Sequence, residues 1–198
     1  MKPLYFFLHR LLGGFFRCLW RVTTTGQEHL PSEGNGIICA NHISAWDPPL
    51  LATQVPRNVH FMAKEELFRT FFLSWFLPYI GTVSVHRGST DRNAIRAMLA
   101  YLQEGELCAI FPEGTRHHDG QLHEFLQGAT FFALKTGAPL YPAAITGDFR
   151  RFRGEVTVRF GPPLNPGLKK DARRDDLEYW TAQLMAAIRN LQEEAVCE

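Results

Sequence analysis

Short continuous apolar runs alternate with amphipathic stretches along most of this chain. Gly36 to Ala40, Leu107 to Phe111 and Pro139 to Ile145 are apolar runs of strand length, rich in residues that pack on both faces of a sheet. Between and after them the spacing turns helical. A helix is predicted from about Asp91 to Gln103, closed by Gly105, another from about Glu124 to Lys135, closed by Gly137, and a last one from about Arg173 to Glu194. Leu177, Trp180, Leu184, Ile188 and Leu191 form the buried face of that last helix. Gly81 to Arg87 alternates as a strand that delivers Arg87 to its end. Glu155 to Phe160 alternates with period two and stops at Gly161-Pro162-Pro163, so it reads as a late, half-exposed strand. The pattern predicts an α/β fold: a single-domain mixed, largely parallel sheet covered by helices. The 198 residues suffice for one such core and are too few for two domains.

The first 21 residues follow another logic. Leu4, Phe7, Leu8, Leu11, Leu12, Phe15, Phe16 and Leu19 recur at helical spacing, while Arg10, Arg17 and Arg21 gather on another side. A basic amphipathic helix suits the membrane interface, where anionic lipid attracts it, and equally suits docking on the protein's own core. The paired Gly13 and Gly14 each weaken a helix by about 1 kcal/mol relative to Ala, which predicts one helix or a helix pair. Residues 1–21 are therefore expected to form a membrane-anchoring segment ahead of a domain over 22–198. The charges interrupt it too early for a transmembrane span, and no cleavage site marks a secretory signal. Thr70 to Val85 is the longest uncharged stretch. Pro78 and Gly81 divide it into the end of a helix beginning near Lys64 and the start of the next strand. Its aromatic residues are expected in the core, with a wall for an apolar ligand or a second membrane contact as the alternative.

Composition narrows the partners. A net charge of +1 gives no general attraction to nucleic acid. Cys18, Cys39, Cys108 and Cys197 show neither zinc-site spacing nor a disulfide framework, which fits a reducing cytoplasm. His117, His118, Asp119 and His123 are the one cluster to consider for a metal, but they lie in a polar loop without helical ligand spacing and are expected at the surface, with no metal.

The chemistry concentrates at strand ends. His42 and Asp47 lie five apart in the segment Asn41-His42-Ile43-Ser44-Ala45-Trp46-Asp47-Pro48, after the first apolar run. Pro48 predicts that a helix begins at Asp47 with Asp47 as its cap. A carboxylate that holds one imidazole nitrogen would leave the other free to take a proton. One such pair has an expectation of about 0.3 by chance at any given spacing, so helix cap and catalytic base both stay open for the isolated segment. A second polar motif, Pro112-Glu113-Gly114-Thr115-Arg116, also follows a strand, and ligands of open α/β sheets bind beyond the carboxyl ends of strands. Arg87 and Arg116 together would suit an anion.

The chain resembles the 1-acyl-glycerol-3-phosphate acyltransferases of the glycerolipid acyltransferase superfamily over most of its length. Asn41-His42 with Asp47 is similar to that family's first block, Gly81 to Arg87 to its second, Phe111-Pro112-Glu113-Gly114-Thr115-Arg116 to its third, and Pro139 to Ile145 to its fourth, in the same order. The resemblance implies transfer of a fatty acyl group from a thioester, acyl-CoA or acyl-ACP, to the free hydroxyl of a lysophospholipid, with 1-acyl-sn-glycerol-3-phosphate giving phosphatidic acid. It implies His42 as general base and Asp47 as its orienting partner. Asn41, Arg87, Glu113, Gly114, Thr115 and Arg116 would bind the acceptor. His117 stands where family members often carry Ser, and Phe125-Leu126-Gln127-Gly128 lacks the Lys of their Phe-Lys-x-Gly stretch, so a cation is missing near Gln127 and the acceptor head group stays open.

These readings predict a peripheral or monotopic enzyme on the cytoplasmic face of a membrane, needing no cofactor or metal and binding no nucleic acid. No Ser or Cys is placed as an obvious acyl-accepting nucleophile, which favours direct transfer, although Ser44 and Thr115 lie near the key groups. Acylation of another lysolipid, hydrolysis of a thioester or lipid ester, and a non-catalytic anionic-lipid-binding module are the alternatives.

Overall fold

Seven strands form one sheet in the order β1-β7-β6-β2-β5-β3-β4. The computed structural model describes residues 3–86, 91–117, 119–169 and 171–194. The strands are β1 (Arg21–Thr25), β2 (Gly36–Ala40), β3 (Val59–Lys64), β4 (Val83–Val85), β5 (Leu107–Ile110), β6 (Leu140–Gly147) and β7 (Glu155–Phe160), and the helices are α1 (Pro3–Leu19), α2 (Asp47–Gln54), α3 (Phe71–Tyr79), α4 (Arg92–Gln103), α5 (Gly128–Thr136) and α6 (Arg174–Glu194). The block β6-β2-β5-β3-β4 is parallel, and β7 returns antiparallel to β6 before β1 adds parallel to β7. Ile38 pairs with Ala109 on one side and Tyr141 on the other, so β2 and β5 end at the same edge.

Helices cover both faces, and two apolar clusters fill the space under them. Phe16 of α1, Trp20, and Leu50 and Leu51 of α2 pack on one face with Ile38, Ala109 and Val158. Met98 and Leu102 of α4, Phe132 of α5, and Leu184 and Ile188 of α6 pack on the other with Ile37, Cys108 and Leu140. The helix α4 begins as its sequence predicts, Asp91 capping it by accepting hydrogen bonds from the Asn93 and Ala94 backbone N–H groups at 3.0 Å. Gly137 ends α5 in the left-handed conformation.

Several expectations are corrected. Gly13 and Gly14 do not divide α1, which runs unbroken; at Gly13 an added Cβ would stand 3.9 Å from Thr53 Cβ, so the glycine lies in contact range of α2. Its apolar residues serve two faces: Tyr5 and Phe16 are buried, whereas Phe7, Leu11 and Phe15, four residues apart, are exposed. No helix begins near Lys64, which ends β3; a 3-10 turn over Glu65–Arg69 follows and α3 starts only at Phe71. Two aromatic residues of α3 are not core, since Phe71 is 97% exposed and Trp75 is also exposed, while Phe76 and Tyr79 are half-buried. The helix predicted from Glu124 starts at Gly128, because Leu126 N–H is drawn back to Pro112 O at 2.8 Å. The strand β7 is not half-exposed: it lies inside the sheet, and Val156, Val158 and Phe160 are buried. Arg87, expected at the end of β4, lies outside the described residues, as do His118 and Cys197.

Candidate active site

The chain leaves β2 through Asn41, whose side chain is anchored across the sheet. Its amide N–H donates to Ile145 O at 2.9 Å and its carbonyl accepts from Ile145 N–H at 2.7 Å, at 1% exposure. An amide that reproduces a backbone pairing in this way fixes the position of the following residue. Asn41 was expected to touch acceptor; both of its polar ends are instead occupied by β6.

His42 is held on three sides. Its ring stacks on Phe111 with centroids 4.2 Å apart, its backbone N–H donates to Glu113 Oε1 at 2.9 Å, and its Nδ1 meets Asp47 Oδ2 at 2.7 Å. Asp47 is fully buried, and the same Oδ2 also accepts the backbone N–H groups of Ile43 and Ser44 at 2.7 Å. A carboxylate only accepts, so Nδ1 carries a proton and Nε2 is left with its lone pair. The helix α2 begins at Asp47 as predicted, but the cap position belongs to Trp46, whose backbone is helical. Asp47 spends its hydrogen bonds on the preceding loop and on His42, which overturns the reading of Asp47 as a helix cap.

The second motif closes over the first. The parallel pairing of β2 and β5 brings Glu113 under His42, and His117 N–H donates to His42 O at 2.9 Å. The Glu113 side chain is 1% exposed, and burial pushes its carboxyl above the usual carboxylate range. Its Oε2 accepts no hydrogen bond among the described residues. Gly114 turns the loop at φ +70°, a conformation that favours glycine, while Thr115 and Arg116 reach the exposed rim. Arg116 makes no ion pair among the described residues.

An apolar groove opens between α1, α2, β3 and α3, lined by Leu8, Leu12, Ala52, Phe61, Phe76 and Ile80. Phe61 stacks with Phe111 at 6.4 Å, so the apolar lining continues to the ring that supports His42. Neither Phe111 nor Ile145 is singled out as a site residue by sequence. A ring under the imidazole and a clamp between residues 41 and 145 become visible only once β2, β5 and β6 are paired. Cys39 and Cys108 are buried; burial raises both thiols, that of Cys108 to about 12, so neither supplies a thiolate nucleophile at neutral pH. His117 and His123 stack with each other, and no group of three or more His, Cys, Asp or Glu among the described residues could hold a metal ion.

A sheet that presents a buried Asp–His pair and a glutamate loop at adjacent strand ends defines the class: residues 21–146 match the family described as Acyltransferase, and the chain belongs to that family of acyl-transferring enzymes. Among its relatives, the 1-acyl-sn-glycerol-3-phosphate acyltransferase of Bacillus subtilis is 31% identical over 73% of this chain and 74% of that one. The one from Borreliella burgdorferi is 34% identical over 63% of this chain, which spans about half, 51%, of that relative's length. The crystal structure of the 1-acyl-sn-glycerophosphate acyltransferase PlsC from Thermotoga maritima superimposes with a TM-score of 0.77 at 27% identity, covering 98% of this chain and 84% of that one.

Proposed function

We propose that this acyltransferase moves a fatty acyl group from an acyl thioester, acyl-CoA or acyl-ACP, to the free hydroxyl of 1-acyl-sn-glycerol-3-phosphate, giving phosphatidic acid and the free thiol. The observation that carries the proposal is the His42–Asp47 pair at 2.7 Å, which leaves Nε2 of an oriented imidazole as a base. The acceptor hydroxyl gives its proton to Nε2 as its oxygen attacks the thioester carbonyl. The tetrahedral intermediate then expels the thiolate, which takes the proton back from the imidazolium. Asp47 stabilises the positive charge in between. Nothing in this sequence of steps requires a cofactor or metal.

Glu113 positions His42 through the backbone hydrogen bond, and Asn41 acts in the same way through Ile145. Gly114 and Thr115 shape the acceptor mouth, where Arg116 meets the acceptor phosphate; Arg87, outside the described residues, is the second cation assigned to that phosphate. The apolar groove beside Phe61 accepts an acyl chain. The relatives' names support the acceptor assigned.

The enzyme works as a peripheral or monotopic protein on the cytoplasmic face of a membrane. No helix among the described residues is long and apolar enough to cross a membrane. The exposed Phe7, Leu11 and Phe15 of α1, with Arg10 and Arg17, support a helix lying in the interface and attached to the 22–198 domain through Phe16. The test is product analysis with and without acceptor. Phosphatidic acid formed only when both substrates are present supports transfer; free fatty acid released at equal rate with or without acceptor would replace it with hydrolysis. Stable acyl label on denatured protein after exposure to donor alone would overturn direct transfer.

A further inference from the structure

The loop between β6 and β7, residues 148–154, reads Asp-Phe-Arg-Arg-Phe-Arg-Gly and takes no part in the transfer step. It leaves β6 at the sheet edge where β2 also ends, because β6 pairs parallel to β2. It is tied to the end of α1: Arg153 N–H donates to Leu19 O at 2.7 Å, and Arg21 N–H donates to Gly154 O at 2.9 Å. Arg153 stands in the left-handed region at φ +59°, which a side chain disfavours, and at Gly154 an added Cβ would lie 2.6 Å from Asp148 O. These bonds and the tight turn fix the loop against the helix. Arg150, Arg151, Phe152 and Arg153 are nevertheless all exposed, Phe152 by 71%.

Charge is segregated at this turn. The chain as a whole carries a net charge of +1, yet Arg17, Arg21, Arg150, Arg151 and Arg153 meet here against the carboxylates Asp148 and Glu155 of the same segments. Glu155 faces Arg21 at 3.9 Å, and Asp148 Oδ1 accepts the Arg150 backbone N–H at 2.8 Å. Among the described residues, Arg17, Arg150, Arg151 and Arg153 make no ion pair. An apolar surface adjoins them. Rings run from Phe15, on the exposed stripe of α1, through Trp46 and Trp20 to Phe149 of the loop, with centroids 6.4, 6.0 and 5.3 Å apart. Trp46 is 44% exposed and immediately precedes Asp47. A partner for this surface offers anionic oxygens to the arginines and, beside them, an apolar layer to Phe152, Trp46 and the α1 stripe. A bilayer containing anionic phospholipid supplies both, since a guanidinium matches phosphate oxygens and aromatic rings settle at head-group depth. An acidic protein would answer the arginines and leave the α1 stripe in water.

We propose that loop 148–154 is a second membrane-contact element: Arg150, Arg151 and Arg153, with Arg17, bind the phosphates of anionic phospholipid, and Phe152 enters the head-group layer. With α1 it makes a two-point contact that sets the His42 edge of the sheet against the lipid surface, Trp46 carrying that contact into the loop of the His42–Asp47 pair. The orientation of α1 in this arrangement rests on the interfacial reading above; the lipid contact of the loop does not.

The test is partitioning of the intact chain onto vesicles of phosphatidylcholine, alone or mixed with phosphatidylglycerol, measured by sedimentation. Each arginine near an anionic surface strengthens binding about fivefold, so Arg150→Gln with Arg151→Gln should weaken partitioning onto the mixed vesicles about 25-fold and hardly change it on phosphatidylcholine alone. The difference should vanish in about 1 M salt, where screening acts within about 3 Å. Arg150→Lys with Arg151→Lys keeps the charge and should keep most of the binding. Phe152→Ser should weaken partitioning about tenfold at low and high salt alike. A Gln variant that partitions like the unaltered chain, a Lys variant that loses as much as the Gln variant, or equal losses on both kinds of vesicle would each overturn the loop contact. Unchanged vesicle binding with transfer lost from an acyl-ACP donor and kept from acyl-CoA would give the patch to the carrier protein instead. If changing Phe7, Leu11 and Phe15 to Ser leaves partitioning intact while the Gln variant weakens it, the interfacial reading of α1 falls alone; the reverse pattern removes the loop contact alone. Partitioning needs no turnover, so a chain that binds in this way and makes no phosphatidic acid loses only the acyl-transfer reading.

Discussion

Replacing Asp47 by Asn separates the electrostatic role of this carboxylate from its part in the fold. Asp47 Oδ2 accepts three hydrogen bonds at 2.7 Å, from His42 Nδ1 and from the Ile43 and Ser44 backbone. An Asn oxygen occupies the same position and can accept the two backbone donors, so the loop keeps its shape. The lost quantity is the charge that faces the imidazolium as the hydroxyl proton moves. With the charge centres about 4 Å apart and an effective dielectric near 20, that attraction is about 4 kcal/mol, or roughly a thousandfold in rate. If the Asn amide instead turns its NH2 toward His42, the imidazole is held in the wrong tautomer and the loss rises to about ten-thousandfold. Asp47→Ala differs: it removes the carboxylate oxygen that the half-buried Ile43 and Ser44 N–H groups share with His42, at about 1–3 kcal/mol for each bond lost, and should lower stability as well as activity. The assay is initial-rate formation of phosphatidic acid with both substrates saturating, beside thermal unfolding of each variant. An Asp47→Asn protein that unfolds near the original temperature and keeps more than a tenth of the original kcat would refute this account of the pair.

Other consequences follow from burial. Glu113→Gln keeps an acceptor for the His42 N–H and removes a carboxylate whose ionisation burial opposes. Because the folded-state value is raised above the unfolded one, the original chain is relatively most stable below about pH 4.3 and loses that stability as the pH climbs through the raised value. The melting temperature of the Gln variant relative to the original should therefore improve from pH 4 toward pH 7, and a difference that does not change with pH would sink the argument. Changing the exposed Phe7, Leu11 and Phe15 together to Ser should abolish sedimentation with anionic vesicles while leaving the melting temperature nearly unchanged. Phe16→Ala, one position along, should instead cost about 3–5 kcal/mol of stability, since its ring is in the core; equal effects of the two changes on vesicle binding would show that α1 is not divided between core and interface.

The legible parts of the fold are those whose burial is uniform. The strands β2, β5 and β6 are covered on both faces, so their apolar runs stand out in sequence. By contrast β1 reads Arg-Val-Thr-Thr-Thr, an edge strand whose pairing with β7, Arg21 with Glu155, is decided 134 residues away. In β3, His60 and Lys64 interrupt the pattern: His60 is buried against Tyr101, with Nδ1 2.9 Å from Gly81 O, contacts no local spacing announces. The helix α3 misleads in the other direction, because an apolar stretch predicts burial and cannot say that Phe71 and Trp75 face outward. In the site, His42, Asp47 and Glu113 were legible because residue chemistry and strand ends coincide there. The Asn41–Ile145 clamp, the Phe111 stack and the paired His117 and His123 were not, since each exists only after the loops meet in space.

The most direct test of the central claim compares the original protein with His42→Ala, supplied with 1-acyl-sn-glycerol-3-phosphate and an acyl thioester, by thin-layer detection of phosphatidic acid. Phosphatidic acid from the original and at least a thousandfold less from a folded variant is the result this account predicts. Undiminished product from the variant, or no product from the original with either class of donor, would contradict it.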